Sequence, residues 1–312
     1  MILEVLLLQE GDFMKNMLFV YNPNSGQRAI QDSISSIIEY LSSKGIFPTV
    51  YATQKSGDCR EIVEKYGKDF DSILVSGGDG TLDEAVSAAL RADIDPTFSY
   101  IPTGSTNDFS RSINISPEIE KATRTAVRGK VKRIDVGKID DKYFVYVAAF
   151  GALSDVSFST DQDMKNILGR SAYIVEGIKK LLPIQSMKSY QAEIEIDHEL
   201  IKGDFIHFMA SNSISVGGFT DIFDGEVGLS DGLFEITLVK RPESLIDLNK
   251  IIQALTNNES NDFVIRRQAA SLRVKTSEEV SWSLDGDFGG KTTDANIEVI
   301  HKRINIKTGL KD

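Results

Sequence analysis

The sequence predicts an α/β domain with a parallel sheet, followed by a domain of mainly antiparallel strands, a β-sandwich. Three observations predict it. Up to about residue 131, short apolar strands alternate with helical patterns, and each strand ends in a polar, mostly glycine-bearing loop. Beyond that point strand patterns dominate, most cleanly over 190–197, where Ala192, Ile194 and Ile196 face one way and Glu193 and Glu195 the other. A chain of 312 residues also exceeds one ordinary core and suits two domains.

The first thirteen residues fit neither domain. The apolar stretch 5–8 is too short for a signal-peptide core and follows Glu4 rather than a basic segment. Met14 opens a natural start that leads straight into the first strand, so 1–13 reads as an upstream extension. The expected first domain is 14–131. It holds strands at 17–21, 48–53, 73–75 and 99–101, with helices at 33–41 and 59–66 and a third behind the 77–80 glycines whose apolar stripe is Leu82, Ala85, Val86 and Ala89. Such alternation implies parallel strands joined by right-handed crossovers.

The expected second domain is 132–300. Residues 131–139 and 142–149 read as a hairpin turning at Asp140-Asp141. A helix is expected over 169–182, stopped by Pro183, and another over 242–255 with Pro242 in its first turn. Strands are expected at 205–211, 233–239, 263–275, 280–284 and 296–300. Residues 301–312 form a tail placed to return to the first domain.

Composition narrows the function. The formal charge of −11 argues against nucleic acid as the main partner, which needs a basic footprint. The single cysteine, Cys59, fits a reducing cytoplasm. No apolar run is long enough to span a membrane.

The stretch 72–90, SILVSGGDGTLDEAVSAAL, carries the chemistry. A buried-strand pattern runs into Gly77, Gly78 and Gly80, then into a helix. Glycine permits positive φ and leaves room for a ligand to approach the main chain. The helix start offers unpaired N–H groups and partial positive charge, which suit phosphate. Asp79, set between the glycines, makes sense beside phosphate if a divalent cation or water lies between them. The loop is not a Walker A loop and lacks the G-x-G-x-x-G spacing; a plain tight βα turn is the bland reading. The polar loop at 22–26 ends the first strand, where ligands of open α/β sheets bind.

Three signals then coincide: NPNSG at 22–26, GGDGTLDE at 77–84 and PTGSTNDF at 102–109. Together with SDGL at 230–233 and LDGD at 284–287, they resemble the diacylglycerol kinase catalytic family, most closely the soluble bacterial lipid kinases. Five motifs in order cover nearly the whole chain from Met14. The resemblance implies a nucleotide-binding domain like that shared by NAD kinases and diacylglycerol kinases, joined to a β-sandwich. ATP would lie on the first domain against Asn22, Pro23, Asn24, Ser25, Gly26, Thr53, Gly77, Gly78, Asp79, Gly80, Thr81 and Ser105. Asp79 and Asp108 would hold the catalytic Mg²⁺ environment. Gly228, Asp231 and Leu233 match a second, structural Mg²⁺ site. Asp287 matches the family's general base, a glutamate there, so its carboxylate sits roughly 1 Å shorter, enough to matter for rate. Asp83 stands where asparagine is common, which would add negative charge near phosphate.

The resemblance implies transfer of the γ-phosphate of ATP to diacylglycerol, giving phosphatidic acid, by a cytoplasmic protein that docks transiently on a membrane; it also suggests a homodimer. Rival readings are a kinase for another lipid alcohol, such as a sphingoid base, a monoacylglycerol or phosphatidylglycerol, or a nucleotide- or lipid-binding regulator without turnover. Phosphorylation of a soluble dinucleotide is a third. The scattered histidines His198, His207 and His301 lack metal-ligand spacing and read as structural.

Overall fold

A computed structural model describes residues 15–25, 29–104, 107–151, 187–212, 215–216, 219–220 and 228–309. The first thirteen residues, Gly26, Ser105 and the helix expected over 169–182 lie outside them.

Strands β1 (Lys15–Tyr21), β2 (Ile46–Ala52), β3 (Ser72–Gly77) and β4 (Thr97–Pro102) form a parallel sheet in the order β4-β3-β1-β2. Their cores are apolar runs: Leu18, Phe19 and Val20 in β1, and Ile73, Leu74 and Val75 in β3, are all buried. Continuous apolar runs are what strands covered on both faces require. Helices α1 (Ala29–Ser42), α2 (Asp58–Tyr66), α3 (Asp79–Arg91), α4 (Asp108–Ser112) and α5 (Ile119–Arg128) belong to this part of the chain. Helix α3 buries Leu82, Ala85, Val86 and Ala89, the helical stripe expected of it. Burying Leu82 or Val86 is worth about 1.5–3 kcal/mol apiece.

The remaining strands are β5 (Lys130–Ile139), β6 (Lys142–Phe144), β7 (Val147–Gly151), β8 (Tyr190–Ile196), β9 (Glu199–Ser211), β10 (Ser215–Val216), β11 (Phe219–Thr220), β12 (Phe234–Lys240), β13 (Val264–Ala269), β14 (Ser271–Leu284) and β15 (Asp287–Thr308). They pair antiparallel with one another. Their core is aromatic: Phe150 stacks on Phe208 at 5.3 Å, and Trp282 meets both edge-on. Such pairs add to their area burial. The final strand, β15, also runs parallel to β4, pairing Asn305 with Thr97 and Ile306 with Phe98. One hydrogen-bonded path therefore links the antiparallel strands to the parallel sheet.

Three expectations change. The arm expected over 142–149 is broken into β6 and β7, because the N–H groups of Val145, Tyr146 and Val147 donate to the Asp285 carboxylate. The strand expected over 263–275 is two strands, since the chain changes partners at Ala270, from β12 to β8 and β15. The expected start of the helix at Pro242 is also wrong. Helix α6 (Leu245–Asn257) begins behind Ser244, whose side chain accepts from the Asp247 N–H while Asp247 accepts from the Ser244 N–H. That reciprocal cap outweighs the preference of proline for a first turn.

Candidate active site

The carboxyl ends of the four parallel strands share one edge, and their loops are tied together there. The Asn22 N–H donates to the Ser76 carbonyl at 2.8 Å, and the Thr53 N–H to the Tyr21 carbonyl at 2.9 Å. The N–H groups of Thr103 and Gly104 both donate to the Gly77 carbonyl, at 2.8 and 3.0 Å. Within 22–25, the Asn24 N–H donates to Asn22 Oδ1 at 2.9 Å, the side-chain turn that the Asn-Pro-Asn sequence favours. Asn107 closes the fourth loop: its Oδ1 accepts from the Gly104 N–H at 2.9 Å and its Nδ2 donates to the Gly104 carbonyl at 2.7 Å. Asn107 holds φ at 53°, a left-handed value that asparagine tolerates. The structure thus brings Asn22, Pro23, Asn24, Ser25, Thr53, Gly77, Gly78, Asp79, Gly80, Thr81 and Asp108 to the same edge.

The glycines of 77–80 serve closeness and not conformation. None of the three has positive φ; Gly78 is extended at φ −87°. A Cβ on Gly77 would lie 2.4 Å from Thr81 Oγ1, and one on Gly104 would lie 2.4 Å from the Gly78 Cα. The 77–80 and 103–107 loops are therefore in backbone contact. Asp79 is the first residue of α3, with its neighbouring N–H groups in the first turn.

Asp79 Oδ2 accepts from the Asp108 N–H at 2.8 Å, and its Oδ1 is 3.3 Å from the Phe109 N–H. Burial first, then the Asp108 charge, pushes the Asp79 carboxyl up to about 7. Asp108 is itself buried, and Arg111 Nη1 lies 3.0 Å from its Oδ1. Two close, poorly solvated carboxylates are what a hard divalent cation would compensate. Among the described residues no group of three or more His, Cys, Asp or Glu side chains is gathered to hold a metal ion. A cation here would depend on water or phosphate oxygens for its remaining ligands.

Across from α3, β14 and β15 are joined by Asp285-Gly286, with φ of 50° and 94°. Both values are positive, as a two-residue type I′ hairpin requires. Asp287 follows at once. Its Oδ2 would lie 3.1 Å from a Cβ on Gly80, so the shorter acid still reaches the start of α3. Partial burial raises its carboxyl above the usual range, and the Arg60 charge opposes the shift. Gly289 is an extra residue in the pairing, opposite the step from Trp282 to Ser283, and Lys142 Nζ donates to its carbonyl. This bulge and its lysine hold the hairpin that carries Asp287.

The sequence reading missed Asp285. It is 4% exposed and accepts the three N–H bonds from 145–147. The LDGD motif contained it, but nothing in the spacing marked it as the buried member. Asp83 differs from its expected place as well. It is buried and hydrogen-bonded to Asp285, so it does not project an extra charge toward bound phosphate.

The 228–233 turn lies apart, against β5 and β15. Asp231 Oδ1 accepts from the Leu233 N–H at 3.0 Å, and the Asp231 carboxylate folds over Gly228, where a Cβ would be 2.2 Å from its Oδ2. The fully buried Asp135 anchors this turn, accepting from the N–H groups of Gly232 at 2.7 Å and Lys302 at 2.6 Å, with His301 Nδ1 2.9 Å away. A carboxylate beside turn carbonyls is a donor set of the kind a hard cation takes. His301 and the buried His207, whose imidazole burial lowers to about 4, match the structural reading of the histidines.

Comparison with known proteins adds a second line. The model of the diacylglycerol kinase catalytic domain matches residues 16–139. A diacylglycerol kinase from Bacillus subtilis (strain 168) is 31% identical over 280 residues, 89% of this chain and 91% of the relative. One from Staphylococcus carnosus (strain TM300) is 29% identical over 297 residues, 94% and 95% of the two chains. A crystal structure of a diacylglycerol kinase from Bacillus anthracis str. Sterne superposes with a TM-score of 0.74 at 21% identity, covering 96% of this chain and 98% of that one. At that identity the superposition speaks for the fold alone.

Proposed function

The chain belongs to the diacylglycerol kinase family, and from that premise we propose that it transfers the γ-phosphate of ATP to the free hydroxyl of diacylglycerol, giving phosphatidic acid and ADP. One observation carries the reading: the Asp287 carboxylate faces Gly80 at the head of α3, across from the linked loops 22–25, 77–81 and 103–108. Phosphoryl transfer asks a protein for positioning and charge compensation more than covalent work. The first turn of α3, which follows Gly78, supplies N–H groups suited to phosphate oxygens. Asn22, Pro23, Asn24, Ser25 and Thr53 border the nucleotide, joined by Gly26 and Ser105 on motif grounds.

Asp287 takes the proton of the acceptor hydroxyl as its oxygen bonds the γ-phosphorus, and the bond from that phosphorus to the bridging oxygen breaks. Burial raises the basicity of the Asp287 carboxylate, the direction a proton acceptor needs. Asp79 and Asp108 would hold Mg²⁺, which when bound neutralises phosphate charge; Gly228, Asp231 and Leu233 would hold a second, structural ion. The antiparallel strands would form the lobe that presents the lipid. The acceptor is reached at a membrane surface, and no helix among the described residues is long and apolar enough to cross one.

Label transfer from ATP into a panel of lipid alcohols in mixed micelles tests this. Diacylglycerol is expected to be labelled first, and Asp287→Asn to lower kcat by about 10²–10⁴-fold, the usual range for a general base. A panel with no labelled lipid, or an Asp287→Asn variant as fast as the parent, would sink the reading. Preferential labelling of a sphingoid base or monoacylglycerol would move the acceptor and keep the chemistry.

A further inference from the structure

Asp83 and Asp285 come from distant parts of the chain and meet in the interior. Asp83 is the fifth residue of α3 and 9% exposed; Asp285 sits in the β14–β15 turn and is 4% exposed. Their side chains are hydrogen-bonded to each other. Two carboxylates cannot share a hydrogen bond without a proton between them. The remaining partners decide where that proton sits. Asp285 accepts three backbone N–H bonds, from Val145 at 2.5 Å, Tyr146 at 2.9 Å and Val147 at 2.8 Å, and so is stabilised in its ionised form. Among the described residues, Asp83 otherwise receives only the Ser87 hydroxyl, at 3.2 Å.

We infer that Asp83 is a neutral carboxylic acid whose O–H donates to the Asp285 carboxylate, and that this bond sets the hairpin carrying Asp287 against the first turn of α3. Asp83 is thus a positioning residue, and its role rests on the reading of Asp287 as proton acceptor. Protonated aspartate matches asparagine in shape and in offering a donor, which accounts for an acid standing where the family commonly has asparagine.

Burial and the neighbouring carboxylate both hold the Asp83 carboxyl well above the usual range. Other charged or titratable groups bear on the pair. Asp79, at the head of α3, acts on Asp285, and Asp287, on β15, acts on Asp83. Tyr146 lies 3.3 Å from the Asp285 carbonyl through its hydroxyl, and Arg60 on α2 acts on Asp287. Loss of the shared proton would leave two facing carboxylates beside Asp79 and Asp287, and the hairpin would withdraw from α3. The expected sign is a fall in kcat as pH rises through the titration of the pair, with KM for ATP little changed.

Infrared difference spectroscopy on the full-length protein tests this without reference to activity. At about pH 8 a carboxyl of pKa about 7 is mostly ionised. The shared proton predicts a protonated-carboxyl C=O band in the parent at that pH, retained in Asp79→Asn and lost in Asp83→Asn. In turnover assays, Asp83→Leu should lower kcat about a hundredfold, as expected for a displacement near 1 Å. Asp83→Asn should restore most of that rate and remove the alkaline fall. Absence of the band, its survival in Asp83→Asn, or an Asp83→Leu variant as fast as the parent would overturn the inference. If no lipid is labelled at all, the function reading fails, while the band still decides where the proton sits.

Discussion

Two glycine-bearing turns face each other across the candidate site, and they use glycine for opposite reasons. In the β3–α3 turn, Gly77, Gly78 and Gly80 all keep negative φ, and the missing Cβ is what matters: Gly77 makes room for Thr81, and Gly78 lies against Gly104. In the β14–β15 turn, Gly286 stands at φ 94° with nothing within 4 Å of a Cβ. There the dihedral matters and space does not. The first turn is defined by what touches it, the second by its own backbone. The contrast says which substitutions each turn tolerates.

Of the substitutions that test this contrast, Gly104→Ala has the largest expected effect on rate. A Cβ there would lie 2.4 Å from the Gly78 Cα, a backbone atom that cannot step aside. Gly104→Ala should force the two loops apart and lower kcat/KM about a hundredfold, with about 1–3 kcal/mol lost from stability. Asparagine should rescue nothing at this position. A Gly104→Ala variant with parental kinetics would remove the claim that loop contact builds the site.

Next comes the charge stored at the first turn. The Asp79 carboxyl is raised from 3.8 to about 7 in the folded protein. A carboxyl raised in this way favours the folded state while protonated. Its contribution is fully present below the unfolded value near 3.8 and is lost as pH rises through about 7. The size is on the order of 4 kcal/mol as a ceiling, less for the part of Asp79 that solvent screens. Denaturant melts at about pH 5 and about pH 8 without divalent cations should show lower stability at the higher pH, and Asp79→Asn should flatten the difference. Unchanged slopes in Asp79→Asn would locate the charge elsewhere.

At Gly286 the expectation reverses in kind. Gly286→Ala should cost about 1–2 kcal/mol from positive φ alone, and Gly286→Asn should recover part of it, since asparagine visits that region more readily. Equal losses for alanine and asparagine would mean that crowding, not the dihedral, governs the second turn.

The sequence carried the parallel sheet well, because each strand is a short apolar run, such as 73–75, ending in a loop whose residue types differ sharply from it. The loops at 22–25, 77–81 and 103–108 were legible as chemistry for the same reason. The second half was less so. The break between β6 and β7 depends on a carboxylate 140 residues away in the chain, and no local pattern announces a strand whose N–H groups are taken by Asp285. The split at Ala270 has the same origin, a change of partner strand that leaves the apolar alternation intact. Asp83 could be flagged as a departure from the family, but its burial against Asp285 comes from the packing of α3 on the hairpin, which propensity does not encode.

The smallest effect separates geometry from stability most sharply. A Cβ on Gly80 would lie 3.1 Å from Asp287 Oδ2, the end of a short side chain able to yield by tenths of an ångström. Gly80 also lies within α3 at negative φ, where alanine is favoured over glycine by up to about 1 kcal/mol. Gly80→Ala should therefore leave the melting midpoint unchanged or slightly raised. Its kcat should fall by less than about tenfold, because a displacement of tenths of an ångström costs less than the hundredfold of a full one. A loss of stability would mean that Gly80 is held by contacts other than Asp287. An unchanged kcat together with raised stability would mean that Asp287 does not meet substrate over the head of α3.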